Sequence, residues 1–280
     1  MMNEARIEPP ARMYRWLLYL AITFGAVISM IPFYWMLVAA TNKTSDLFKT
    51  PPPLWFGSEL SATWARLIND HGFMRAIFNS LLIAVVYTVL SSILSAMCGY
   101  ALAKYRFRGR GLLLSSILMT MMVPFQVLLV PLFQMMATLK WIDSYQAVIV
   151  PFLANAFGIF MMRQGFMDFP DEILEAARID GASEMRTFYT IVLPVAKPQL
   201  AAVIIFTFIS QWNAFIWPLL MLNSPEKMTV PLVLSSMIGL THVDYSAIML
   251  GAFVSTLPIL LFFTLFQRQL VSGLLGGSIK

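Results

Sequence analysis

An all-α polytopic membrane protein with six transmembrane helices is the fold class this sequence predicts. Three observations lead there. Of the 280 residues 59% are hydrophobic and only 12% are charged, about half the charged share of soluble domains. Six windows contain no charged side chain: Trp16–Asn42, Ala76–Ala103, Gly111–Leu139, Ser144–Met162, Pro198–Pro225 and Tyr245–Gln267. About 20 apolar residues suffice to cross a bilayer. The basic residues between windows are unevenly shared, with thirteen Lys and Arg on one predicted side and six on the other. In hydrocarbon each span must satisfy its own backbone hydrogen bonds, which makes helices the default.

Arg6, Arg12 and Arg15 precede the first window, so the positive-inside rule predicts a cytoplasmic N-terminus. Six crossings then return the C-terminus to the cytoplasm. Val38-Ala39-Ala40 looks like a signal-peptide cleavage site, but the uncharged run before it exceeds a secretory h-region, so the span is expected to be retained. Lys43–Arg75 is then external. Pro51-Pro52-Pro53 and Trp55 predict an extended stretch, and Trp64–Ile68 a short surface helix. This segment is either a connector or a contact surface for an external partner.

Within the spans, Pro124, Pro131, Pro151 and Gly158 mark kinks in windows three and four. Met119, Met121, Met122, Met135 and Met136 read as flexible packing. Cys98, the single cysteine, excludes an internal disulfide and reads as a small buried residue. The fifth window carries Gln211, Trp212 and Asn213 well inside it. Hydrocarbon penalises the two amides. They are expected to face another helix or to line a water-filled pathway.

The net charge of +5 follows from topology and not from a nucleic-acid surface, because the bases are dispersed among spans. His71 and His242 lack metal-ligand spacing, and no metal site is expected. No G-x-x-x-x-G-K-[ST] phosphate loop occurs, so ATP hydrolysis, if used, belongs to another chain. There is no G-x-S-x-G elbow and no evident internal repeat.

The longest highly charged segment, Arg163–Lys197, holds six acids and four bases between two apolar runs. It reads as two short helices. Pro170 suits a helix start, with Asp171 and Glu172 at the positive end of the dipole. Ile173, Ala176, Ala177 and Asp180 share one face by helical spacing. Gly181 falls where a C-cap needs a left-handed residue. Ser183 can cap a second helix, which Pro194 is expected to close.

Glu175-Ala176-Ala177, then Gly181, then Ile191, Leu193 and Pro194 resemble the EAA loop of ABC-importer permeases at every position. Asn79-Ser80-Leu81, Gly99–Lys104, and Trp212–Phe215 with Pro218-Leu219 resemble the core of the carbohydrate-type members, nearest the maltose-permease G-type subunit. The resemblance implies a type I ABC-importer permease core. Residues 1–75 would be the N-terminal tail, first span and external loop. Residues 76–268 would be the core, with coupling loop 163–197, and residues 269–280 a cytoplasmic tail near the ATPase dimer. It implies that Glu175, Ala176, Ala177, Gly181, Ile191, Leu193 and Pro194 form a coupling helix seated on an ATPase subunit. It implies a bacterial inner membrane, a second permease subunit, two ATP-binding subunits, an extracytoplasmic solute-binding protein, lipid contact and no nucleic acid. No cofactor is expected on this chain; ATP and Mg would be used by the partner ATPase subunits. The implied cargo is a sugar or related neutral polar solute, and the last external loop, Asn223–Asp244, is implied to reach the binding protein. An ion-coupled carrier would place ionisable residues mid-membrane, and the six windows hold none. A permease for a non-sugar solute and a non-transporting membrane scaffold stay open.

Overall fold

The computed structural model describes residues 12–239 and 243–276. Helices carry the fold, and among the described residues the nearest approach to a sheet is one antiparallel bridge between Ile238 and Val243. Three helices are long and apolar enough to cross a membrane unbroken: α1 (Arg12–Thr41), α3 (Phe73–Lys104) and α14 (Tyr245–Gly276). A short helix, α2 (Leu60–Asn69), lies between the first two as the sequence predicts.

The other three crossings are broken. In the third, α4 (Arg110–Thr120) meets α5 (Phe125–Thr138) at 99°. In the fourth, α6 (Tyr145–Ile149) and the tight turn that continues it meet α7 (Ala156–Met167) at 43°. The charged segment follows as α8 (Asp171–Ile179), α9 (Glu184–Thr187) and α10 (Leu193–Val195). The fifth crossing bends by 85° between the Glu184–Val195 stretch and α11 (Lys197–Trp212), and a second interruption at 213–215 separates α11 from α12 (Ile216–Met221). Another short helix, α13 (Val230–Ser236), leads toward α14. The uncharged windows therefore predict the crossings but not their shape. At 1.5 Å per residue the sixteen residues of α11 reach about 24 Å, short of a bilayer core of about 30 Å.

α3 is the central pillar. Its buried face is made of small and hydroxyl residues, including Ser91, Ser92, Ser95, Ala96 and Gly99. α7 comes so close that a Cβ on Gly99 would lie 2.7 Å from the Arg163 backbone nitrogen. One on Gly158 would lie 2.5 Å from the Ser95 hydroxyl. Helices in lipid gain little from apolar burial against each other, so this close backbone approach supplies the attraction instead.

At the α2 end of α3 a second core gathers Ala40, Leu67, Phe73, Val230 and Leu250 from α1, α2, α3, α13 and α14. Arg66 pairs there with Asp244 at 2.7 Å. At the other end of α3, Tyr100, Phe166, Leu174, Phe188 and Val192 form the core beneath the charged segment.

Several sequence expectations are corrected. Cys98 is exposed on α3 and lines a surface groove beside α4, because the buried stripe of that helix passes one residue away at Gly99. Of the five methionines only Met136 is buried in the core. Pro131 sits inside α5 without breaking it, whereas the chain turns at Pro124. Pro194 does not end its helix at once: the chain widens into a π-turn over Phe188–Val192 and closes after Val195. Pro194 offers no N–H for a carbonyl of the preceding turn, which a wider turn accommodates. The tail is helical to Gly276, past the predicted end of the last span at Gln267. Arg6, His242 and the last four residues lie outside the described residues.

Candidate functional site

Three of these interruptions meet. Met121, Ala154, Asn155, Asn213, Ala214 and Phe215, from the interruptions at 121–124, 153–155 and 213–215, line one open cavity of about 670 Å³ together with Tyr87 of α3. On the α2 side of the breaks its wall is aromatic. Phe125, Phe152 and Trp217 pack edge-to-face in a closed triad, with ring centroids 5.7, 6.3 and 5.5 Å apart. The Trp217 indole N–H donates to the Ala147 carbonyl.

On the α8 side the lining is more polar, with Thr120, Asn155, Ser210, Gln211 and Asn213. Asn155 caps α7: its Oδ1 accepts from the Gly158 N–H at 2.8 Å, and its Nδ2 donates to the Tyr87 hydroxyl at 3.3 Å. The Tyr87 hydroxyl donates in turn to the Phe152 carbonyl at 3.3 Å. No residue lining this cavity is charged.

The predicted trio divides here. Gln211 and Asn213 line the cavity. Asn213 caps the end of α11, donating its amide to the Ile209 carbonyl at 2.9 Å. Trp212 points the other way, into the core between α11 and α14. There its ring stacks near Phe208 and its N–H donates to the Ser255 carbonyl at 3.2 Å. Sequence reasoning missed Tyr87 and Asn155. For Asn155 a signal was available: an asparagine inside an uncharged run, four residues after Pro151.

The charged segment forms a second feature, at the opposite end of α3 from α2. Leu174 and Ala177 face the core and are 4% and 6% exposed. Ile173, Glu175, Ala176 and Asp180 face outward, and Ile179 is 86% exposed. Of the face predicted to meet a partner, Ile173, Ala176 and Asp180 are exposed, and Ala177 alone turns inward, one turn after Leu174, which packs with Phe166 and Phe188. Ile191 and Leu193 also pack inward against that core, whereas Pro194 is exposed.

Gly181 has φ +77° and ends α8 in a Schellman arrangement. Its N–H donates to the Arg178 carbonyl at 3.1 Å, and that of Ala182 to the Ala177 carbonyl at 3.0 Å. Ser183 caps α9 by accepting from the Arg186 N–H. Glu184 receives the Arg178 guanidinium at 2.7 Å and the Tyr105 hydroxyl at 2.5 Å. These partners hold its carboxyl below the usual range, the arginine bond being the larger cause. The arrangement leaves one rigid outward surface of mixed apolar and anionic character.

Among the described residues no group of three or more His, Cys, Asp or Glu could hold a metal. Residues 91–275 match the family described as binding-protein-dependent transport system inner membrane component. The lactose transport system permease protein LacG of Rhizobium radiobacter is 35% identical over 259 residues, covering 92% of this chain and 94% of that one. The arabinooligosaccharides transport system permease protein AraQ of Bacillus subtilis (strain 168) is 33% identical, covering 98% and 99%. The sn-glycerol-3-phosphate transport system permease protein UgpE of Pectobacterium atrosepticum is 36% identical, covering 93% and 95%. A bacterial ABC transporter involved in import of the acidic polysaccharide alginate has a chain that superposes with TM-score 0.79 at 22% identity, covering 96% of this chain and 99% of that one. The chain belongs to the family of binding-protein-dependent transport system inner membrane components and is a permease subunit of an ABC importer.

Proposed function

We propose that this permease passes a neutral sugar or short oligosaccharide. The observation that carries the reading is the uncharged cavity at the three breaks. Amides at Asn155, Gln211 and Asn213 offer hydrogen bonds to hydroxyls, and the partly exposed rings of Phe125, Phe152 and Phe157 offer apolar surface to a pyranose. The lactose and arabinooligosaccharide relatives support it by name. The glycerol-phosphate relative acts on an anion, and a cavity lined without a cation does not favour one here.

In this reading both termini are cytoplasmic and the α8 end faces the cytoplasm. The partners are a second permease, two ATP-binding subunits and an external solute-binding protein. ATP and Mg act on the ATP-binding subunits and not on this chain. The outward face of α8, with Glu175, Ala176 and the bend at Gly181, seats on an ATP-binding subunit. Ala177, Ile191 and Leu193 hold that face from behind, and Pro194 shapes the return to α11. Closure of the ATP-binding pair moves α8, the three breaks rearrange, and the cargo released by the binding protein enters between them.

The test is the assembled complex in proteoliposomes with its binding protein. Lactose, an arabinooligosaccharide and sn-glycerol-3-phosphate are offered in turn. Uptake of a neutral saccharide is expected, and uptake of the phosphate ester alone would overturn the sugar reading. Glu175→Lys should abolish solute-stimulated ATP hydrolysis and recovery of the ATP-binding subunit, at unchanged permease level in the membrane.

A further inference from the structure

The basic stretch after α3 has a use that topology alone does not require. Lys104, the last residue of α3, has a side chain only 7% exposed. Its ammonium donates to the Phe169 carbonyl and pairs with Asp171, the first residue of α8, at 2.7 Å. A lysine whose only task is to sit near anionic headgroups would stay in water. Its neighbour Tyr105 packs edge-on against Tyr100 at 5.7 Å and donates its hydroxyl to Glu184, the first residue of α9. Glu184 also binds Arg178, in the last turn of α8. The start of α8, the end of α8 and the start of α9 are thus all tied to two consecutive residues at the tip of α3.

We infer that Lys104 and Tyr105, with Asp171, Glu184 and Arg178, are positioning residues that fix the register of the docking segment on α3, so that movement of the segment becomes movement of α3. The inference deepens the docking reading above and rests on it. The segment is already held by the apolar core of Tyr100, Phe166, Leu174 and Phe188. Apolar burial is non-directional, and a surface held by it alone can slide. Hydrogen bonds at both ends of α8 remove that freedom.

α3 then carries the displacement to the cavity. About 25 Å along the helix from Lys104, at 1.5 Å per residue, Tyr87 bonds both Asn155 and the Phe152 carbonyl at the fourth-span break. Direct contacts run from Asp171 and Glu184 through Lys104 and Tyr105 to α3, and from Tyr87 of α3 to the cavity wall. Burial, and then the bond to Glu184, push the Tyr105 hydroxyl up to about 12, so it stays a donor wherever the transporter works.

The experiment uses the whole complex with its binding protein in proteoliposomes, with Tyr105→Phe, Glu184→Gln, Lys104→Met and Lys104→Arg, and Glu175→Lys alongside. The readouts are recovery of the ATP-binding subunit and saccharide transported per ATP hydrolysed. The first three variants should keep the ATP-binding subunit at wild-type recovery yet transport several-fold less saccharide per ATP. Lys104→Arg, which preserves the pairing with Asp171, should restore most of the ratio. Tyr105→Phe removes a single hydroxyl and keeps the ring in the core, so it guards against simple misfolding. A wild-type ratio in all three variants would overturn the inference, as would loss of subunit recovery in Tyr105→Phe. If Glu175→Lys itself leaves recovery and stimulation intact, the docking reading fails instead, which separates the two.

Discussion

Trp217 and Ala147 are joined by a 2.9 Å hydrogen bond from the indole N–H to the backbone carbonyl, which ties α12 to α6 across two different broken spans. Trp217 is 4% exposed and Ala147 fully buried. Trp217→Phe keeps an aromatic ring in the triad but leaves that carbonyl without its partner. A loss of about 1–3 kcal/mol is expected, the desolvation cost of an orphaned buried acceptor. A lowered thermal midpoint of the purified complex would show it. An unchanged midpoint would mean that the carbonyl finds another donor.

Gln211, Trp212 and Asn213 are adjacent in the chain but should fail in different ways. Asn213→Leu should lower saccharide uptake while the complex assembles normally, because Asn213 lines the cavity. Trp212→Ala should instead destabilise by about 3–5 kcal/mol, as large aromatic truncations in cores do, because its ring is buried against Phe208. Membrane level and uptake per assembled complex, measured together, distinguish the two.

How much of this was legible beforehand differs by feature. Span number and the existence of α8, with its glycine stop, depend on local length, charge and backbone preference, and these are written in the chain. The breaks are not. Pro32, Pro131 and Pro258 all sit inside continuous helices, while the chain turns at Pro124. What differs is whether neighbouring segments satisfy the freed backbone groups, and this depends on packing. The inward turn of Ala177 is hidden for a similar reason. Ala176 and Ala177 are equally small, and the placement of Leu174 against Phe166 and Phe188, which only the fold brings together, decides which of the two is buried. Tyr87 reads as ordinary core until the fourth span is known to break beside it.

Gly181 needs its positive φ but has open space where a Cβ would stand. The cost of substitution is therefore conformational and not steric. Gly181→Val should impair solute-stimulated ATP hydrolysis, since a β-branched residue in this region is a strong outlier. Gly181→Asn should be tolerated much better, because asparagine is several-fold enriched among the non-glycine residues found in the left-handed region. Equal loss in both would point to a requirement for the bare backbone at the partner surface.

Asp143 sits between α5 and α6 and accepts from Lys227, the Ser224 hydroxyl and the backbone N–H groups of Asn223 and Ser224. The lysine bond, followed by the serine bonds, holds its carboxyl well below the usual carboxylate range. A depressed carboxylate contributes stability that is complete above its unfolded value, about 3.9, and is lost only as pH falls through the folded value. Asp143→Asn should therefore lower the thermal midpoint by the same amount at pH 5 and at pH 7. A penalty that vanished at pH 5 would show that the carboxylate titrates higher than its surroundings imply.

The uncharged lining of the cavity at the three breaks has an electrical consequence. A charge moved across a membrane gains or loses about 2.3 kcal/mol for every 100 mV. The walls at Met121, Asn155 and Asn213 carry no formal charge, so any motion of theirs does no work against the membrane potential. A neutral saccharide adds none. On this subunit's side, import should proceed at the same rate per ATP in energised and de-energised vesicles. The voltage across the bilayer, which drives ion-coupled carriers, is not a source of power that this wall can use.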